Sequence, residues 1–320
     1  MENAKMNIPS VDLSKFVNGS SAEKNECVAE LGKAFNEVGF VTVKNHGISE
    51  ELVQRFYDQV NAFFDMDQEL KDQYEKKELN GQRGYTSFGK EHAKHSNVGD
   101  LKEFWQFGQE LTPEERPDEA YRENLDVAEL PDFKKTGLEL FSAFENSGRN
   151  LLKAIALYLK LDENYFEAHV IKGNSILRAI HYPPITSDPK TAIRAEQHED
   201  INLITLLVGA SAEGLQLLTK KGEWLPIMAP QGSIVVNVGD MLQRLTNNVL
   251  KSTTHRVVNP PREKWHLPRL SIPFFLHPKS DMPLNCLEDC VTEENPKQYE
   301  DITAGEYLDQ RLIEIGLKKA

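Results

Sequence analysis

A chain of 320 residues, 39% of them apolar and 27% charged, is long enough to bury a substantial core and excludes a disordered protein. Its 50 acidic residues outnumber 37 basic ones, and the resulting net charge of −13 argues against non-specific binding to nucleic acid or an anionic membrane. No apolar run approaches the roughly 20 residues that span a bilayer. The opening MENAKMNIPS lacks the basic start and apolar stretch of a signal peptide, and the sparse thiols Cys27, Cys286 and Cys290 form no metal or disulfide framework. The expectation is therefore a cytoplasmic protein.

Ser20 and Glu23 read as a capping box, followed by Val28, Leu31, Ala34, Phe35 and Val38 at helical spacing. Gly39 ends that helix, and residues 40–43 read as a short strand before Asn45-His46-Gly47. Ser49 caps a second helix with an apolar stripe at Leu52, Val53, Phe56, Tyr57, Val60 and Phe64. Residues 80–100, rich in Gly, Ser, Asn and His, read as a loop or hairpin, and residues 136–159 as a long amphipathic helix. From residue 175 the character changes to short β-prone runs at 176–182, 203–208, 215–218, 234–238, 255–258 and 270–276, separated by Gly- or Pro-containing turns. Many short strands with regular turns predict a sandwich or jelly roll rather than a parallel α/β sheet. Residues 304–319 return to a helical pattern.

In an extended backbone, side chains two residues apart share a face, so His198 and Asp200 would aim at one point with Glu199 turned away. A third ligand must come from elsewhere, and His255 opens a later strand-like run. Two histidines and one carboxylate on one side of a metal leave open positions opposite, which suits non-haem Fe(II) binding a co-substrate and O2 together. Zinc accepts similar donors, but a zinc hydrolase needs only one open position. The tripeptide alone is common and equally fits a surface His beside a solvated Asp. Arg269 and Ser271 form a second such pair. An Arg among Leu270, Ile272, Phe274, Phe275 and Leu276 is costly to bury unless paired, and its planar fork matches a carboxylate, either a ligand's or an internal Asp or Glu. Tyr182, at the end of the 176–182 run, offers a further hydroxyl.

These residues belong to a longer ordered pattern. The stretch His198-Glu199-Asp200-Ile201-Asn202-Leu203-Ile204-Thr205-Leu206-Leu207 resembles the iron-binding strand of the isopenicillin N synthase-like 2-oxoglutarate/Fe(II)-dependent dioxygenases. Gly214-Leu215-Gln216, Asn237-Val238-Gly239-Asp240, Leu242 through Asn248, His255-Arg256-Val257 and Arg269-x-Ser271 match the same family in the same order. Upstream, Ile8 through Leu13 and Gly39-Phe40 through Ile48 resemble its first landmarks, so the likeness covers nearly the whole chain.

The resemblance implies a mainly β fold, a double-stranded β-helix (jelly roll) core buttressed by N-terminal and interspersed helices. The expected organisation is one domain over 1–320, with a mainly helical part at 1–170, the iron-bearing core at 171–290 and a helical segment at 291–320. It implies Fe(II) on His198, Asp200 and His255, with 2-oxoglutarate anchored by Arg269, Ser271 and Tyr182. O2 would be the third reactant, and an unidentified small molecule would be hydroxylated, desaturated or cyclised with release of succinate and CO2. In the family the region around residues 82–107 lies over the pocket, so Arg83, Trp105 and Phe107 are candidate substrate contacts, with Phe275 lining the pocket or packing in the core.

Two departures bear on this. Many plant members carry Asn where this chain has Ile180. Isopenicillin N synthase itself keeps an Arg-x-Ser pair for its peptide substrate and needs no 2-oxoglutarate, but its C-terminal Gln has no counterpart in residues 313–320. An oxidase of that kind, or a non-catalytic ligand-binding protein on the same fold, is the alternative. Neither the substrate nor the oligomeric state is legible.

Overall fold

A computed structural model describes residues 8–92, 98–115, 122–209 and 213–314. The N-terminal half runs β1 (Ser10–Asp12), α1 (Leu13–Asn18), α2 (Ser21–Glu37), β2 (Phe40–Lys44), α3 (Glu50–Phe64), α4 (Gln68–Asp72), β3 (Gly84–Thr86), β4 (Glu103–Gly108), α5 (Phe133–Tyr158) and α6 (Glu167–Val170). The C-terminal half runs β5 (Ile176–Tyr182), β6 (Ala195–His198), β7 (Ile204–Val208), β8 (Leu215–Leu218), β9 (Trp224–Pro226), β10 (Ser233–Val238), α7 (Asp240–Leu245), β11 (His255–Val257), β12 (Arg269–Leu276) and α8 (Ala304–Glu314).

Local chemistry starts these elements where the sequence predicts. Ser20 Oγ accepts from the Glu23 amide while the Glu23 carboxylate accepts from the Ser20 amide at 2.8 Å, closing the capping box of α2. Ser49 caps α3 in the same manner through the Leu52 amide. Gly39, at φ +76°, turns the chain from α2 into β2 against the Lys251 carbonyl, where a Cβ would sit 2.4 Å from that oxygen.

Among the described residues the strands form an eight-stranded sheet, in the order β1-β2-β10-β7-β12-β5-β4-β3, and a four-stranded sheet, in the order β6-β11-β8-β9. All pairings are antiparallel except β1 with β2. This is the jelly-roll architecture, mainly β with helices layered on one side. The large sheet has both faces covered, and its alternation divides two environments. Leu177, Ala179, Ile204, Leu206, Ile234, Val236, Ile272, Phe274 and Leu276 turn to the helices and join Leu31, Phe35, Phe56, Phe63, Leu140, Phe144 and Leu151 in the main core. The residues between them face the small sheet and line a cavity of about 850 Å³.

The strands at 176–182 and 215–218 fall where the pattern places them, and those near 203–208, 234–238, 255–258 and 270–276 agree within a residue at each end. β4, β6 and β9 carry no clear alternation in sequence and are recognised only by their pairing. The last helix is described to Glu314, and residues 315–319 of the expected segment lie outside the described residues. The three thiols are unpaired with one another, and no described helix is long and apolar enough to cross a membrane.

Candidate active site

β6 ends at His198 and β11 begins at His255, and the two residues are directly opposed in the antiparallel register. Asp200 lies two residues beyond the end of β6, so a turn rather than strand alternation brings it in; its carbonyl accepts from the Asp240 amide that opens α7. The three side chains each offer a donor atom within 4.8 Å of the others. Asp200 Oδ1 lies 3.8 Å from His198 Nε2 and 3.6 Å from His255 Nε2.

Each donor is oriented by a second contact. His198 Nδ1 is 2.6 Å from the Glu196 carbonyl and His255 Nδ1 is 3.1 Å from the Thr253 carbonyl. A carbonyl can only accept, so each Nδ1 carries the proton and each Nε2 is left to present a lone pair to the shared point. Asp200 Oδ2 accepts from Thr205 Oγ1 at 2.6 Å and from Asn237 Nδ2 at 2.7 Å, leaving Oδ1 as the inward oxygen. Phe40 packs edge-on against the His255 ring. Burial, then the neighbouring His255, pushes His198 down to about 4, so its imidazole is neutral near pH 7. Burial opposes ionisation of Asp200, yet the two histidines and the Asn237 and Thr205 hydrogen bonds hold it below the usual carboxylate value. Two imidazoles and a carboxylate on one side of a point fit a divalent iron with its remaining positions open.

The cavity extends from this cluster between the sheets. On its large-sheet wall Tyr182 opposes Arg269 and Ile180 opposes Ser271. Arg269 is 1% exposed, with its guanidinium 4.9 Å from the centre of the Tyr182 ring. A second buried arginine, Arg194, lies 5.8 Å from that ring and donates to the Leu267 carbonyl. Burial and the charge of Arg269 together push Arg194 down to about 10, the mark of two buried cations near one another.

A further wall comes from residues the sequence did not single out. Lys102 Nζ bridges Glu91 and Asp100, at 2.7 Å to each. Arg178 donates through Nη1 to both Glu91 oxygens and through Nε to Gln106 Oε1, and its guanidinium lies 4.1 Å from the Phe104 ring. Burial alone would raise Glu91; Arg178 and Lys102 instead hold it down to about 2. Phe275 lines the cavity, 5.2 Å from Arg178, as the sequence allowed. Ile180 also lines it, within an apolar cluster of Phe104, Tyr182, Ala195 and Val257.

Trp105 and Phe107 do not line it. β4 pairs with β5 so that Trp105 opposes Ala179 and Phe107 opposes Leu177, which places both on the helix-facing side. There they pack against Phe63, Phe56 and Phe133, fully buried. The cavity-facing residues of that strand are Gln106 and, just before it, Lys102. Arg83 is 6% exposed, donates to the Gln82 carbonyl at 2.7 Å and occupies the space where a Cβ on Gly108 would stand, away from the cavity wall. His181, also on the helix side, bonds Glu103 at 2.7 Å and stacks on Phe64, a structural role.

A jelly roll carrying a two-histidine, one-carboxylate cluster on the wall of its cavity defines the class of non-haem iron oxygenases. The comparisons name the family within that class. Residues 8–132 match the family described as non-haem dioxygenase in morphine synthesis N-terminal, and residues 173–278 match the 2OG-Fe(II) oxygenase superfamily. The chain is 31% identical to kihadalactone A synthase from Citrus sinensis, over 94% of this chain and 92% of that protein. It is 29% identical to the 2-oxoglutarate-Fe(II) type oxidoreductase hxnY of Emericella nidulans, covering 92% and 86%. Among solved structures, a 2OG-Fe(II) oxygenase family protein from Caulobacter crescentus superimposes with a TM-score of 0.86 at 45% identity, covering 96% of this chain and 99% of that one. A full-length Neurospora crassa protein in complex with alpha-KG gives 0.85 at 30% identity, covering 98% and 97%. The chain belongs to the 2OG-Fe(II) oxygenase superfamily, and its reaction is an oxidation that uses Fe(II), 2-oxoglutarate and O2.

Proposed function

We propose that His198, Asp200 and His255 hold the iron, and that Arg269, Ser271 and Tyr182 take the far carboxylate of 2-oxoglutarate. The convergence of two Nε2 lone pairs and one carboxylate oxygen, each fixed by its own second contact, carries this assignment. When bound, the metal and co-substrate activate O2 as succinate and CO2 are released, and the chain's own residues do the placing. Asn237 and Thr205 keep the Asp200 carboxylate aimed, and the two backbone carbonyls keep each imidazole in its binding tautomer. Arg269 on the cavity wall supplies the anion fork, and the buried Arg194 nearby adds a second positive charge. Phe275 and the polar wall around Arg178 border the space left for the reacting C–H group.

The substrate is a small molecule that is hydroxylated, desaturated or cyclised. The Neurospora relative has been crystallised with thymine and with 5-formyluracil, ligands small enough for a cavity of this size. The net charge of −13 disfavours nucleic acid and anionic membrane as partners. Residues 1–320 act as one domain, and the sparse unpaired thiols suit the cytoplasm.

The test is succinate release with Fe(II), 2-oxoglutarate and O2. Asp200→Ala is expected to abolish both iron binding and succinate formation, and Arg269→Ala to raise the KM for 2-oxoglutarate at least tenfold. Retained iron binding in the first variant, or an unchanged KM in the second, overturns the corresponding assignment.

A further inference from the structure

His277 follows β12 and extends its inward-facing series, Arg269, Ser271, Pro273 and Phe275, by one more alternation onto the cavity wall. Its backbone is fixed, the amide donating to Ser175 Oγ at 3.2 Å and the carbonyl accepting from it at 3.3 Å. Its ring is not. The residue is 8% exposed, Nδ1 is sealed from solvent without a hydrogen-bond partner, and no hydrogen bond from the described residues reaches Nε2. A buried imidazole on a cavity wall whose nitrogens have no partner among the described residues has them available to a ligand. Burial pushes this ring down to about 4, so it is neutral near pH 7, with one donor and one acceptor to offer.

Arg178 is the charged group that His277 feels besides Asp200. In the wall holding Arg178, two acids, Glu91 and Asp100, pair with two bases, Arg178 and Lys102. Its carboxylates are engaged: both Glu91 oxygens by Arg178, with Lys102 added on Oε1, and the Asp100 oxygens by Lys102 and the Glu196 amide. Arg178 has committed Nε and Nη1, and Nη2 has no hydrogen-bond partner among the described residues. At this wall the cavity therefore offers a ligand one guanidinium donor, one neutral imidazole and the flat ring of Phe275.

We infer that Arg178 and His277 are the specificity-determining pair of this enzyme, and that they read an uncharged ring bearing a carbonyl acceptor, laid against Phe275. This rests on the proposed placement of iron and co-substrate, which leaves that part of the cavity to the substrate. A carboxylate would face a guanidinium already neutralised by Glu91, and a hydrocarbon ring would leave the imidazole and Nη2 dry and unbonded. Both are selected against for the same reason: a buried polar group must find its complement.

Anaerobic calorimetric titration of the full chain loaded with Fe(II) and 2-oxoglutarate tests this. Thymine and glutarimide serve as uncharged carbonyl rings, benzoate as an anion of similar size and toluene as the apolar control. At least one carbonyl ring is expected to bind ten times more tightly than benzoate or toluene. His277→Leu and Arg178→Met should each weaken that binding tenfold or more, and His277→Gln, which keeps a donor and an acceptor, should recover most of it. Arg178→Met is also made together with Glu91→Gln so that no carboxylate is stranded, and the wild-type selectivity stands as a test needing no variant. Benzoate binding as tightly as the rings, no carbonyl ring binding, or binding indifferent to both positions overturns the inference. Ring binding without succinate formation in air counts against the iron and co-substrate placement alone; succinate formation that ignores both substitutions counts against this pair alone.

Discussion

Asp200 shows how a single side chain is given its chemical role. Its Oδ1 is free to ligate because Oδ2 is held by Thr205 and Asn237, and Thr205 is in turn held by Asn202 at 2.8 Å. Thr205→Val keeps the shape and removes the hydroxyl, so the carboxylate loses one of two anchors. Iron affinity is expected to fall about 10–100-fold, the usual cost of losing a group that orients a ligand, and an anaerobic iron titration showing no change would refute the role. Trp105 is the opposite case, a residue whose family position suggests substrate and whose packing says core. Trp105→Ala removes the ring that contacts Phe63, Phe107 and Phe133, and about 3–5 kcal/mol of stability should go with it in denaturant unfolding. A loss under about 1 kcal/mol would place the ring elsewhere. The i, i+2 rule located Arg269 and Ser271 because both lie on one strand. It could not place Trp105, because which face of β4 is inward depends on the partner strand and its register.

At the scale of elements, the Glu91 cluster joins the loop between β3 and β4 to β5 through Arg178 and to β4's approach through Lys102. Breaking a buried ion pair from one side strands the other, so Glu91→Gln is expected to destabilise by about 3–5 kcal/mol, read by chemical unfolding at pH 7. The pH dependence has a definite sign. Glu91 is depressed from 4.5 to about 2, so its contribution is fully present above 4.5 and is lost as pH falls toward 2. Wild type should lose stability across that window more steeply than Glu91→Gln; parallel curves for the two proteins would show that the carboxylate is not held as described. None of this network was legible in the sequence, since its members come from a loop, a strand approach and a distant strand. The same holds for the contacts of α8, though not for the helix itself: Tyr307 donates to Asp240 at 2.9 Å, and Leu308 and Leu312 reach the cavity.

For the whole molecule, the metal cluster links β6, the turn after it and β11 of the small sheet to β7 and β10 of the large one. Iron binding should therefore stabilise the fold as a unit. At a free metal concentration about 100 times Kd, the expected gain is about 2.7 kcal/mol, seen as a rise of a few degrees in an anaerobic calorimetric melt and reversed by chelator. An unchanged melt would mean that the three ligands are not bridged.

The sequence by itself determined the helix starts, most strands of the core, the ordered motifs and the identity of the three residues that converge at the proposed metal site. Most of those signals are local: caps act within one turn, alternation within one strand, and His198 with Asp200, like Arg269 with Ser271, lies within three residues, while His255 is picked out by its place in the ordered motifs. Tertiary structure alone decided which face of each strand looks into the cavity, because that is set by register against β5 and β12. It replaced Arg83, Trp105 and Phe107 with Lys102, Gln106, Arg178 and His277 on the cavity wall, since ion pairs and unmet hydrogen bonds become visible only once distant segments are packed together.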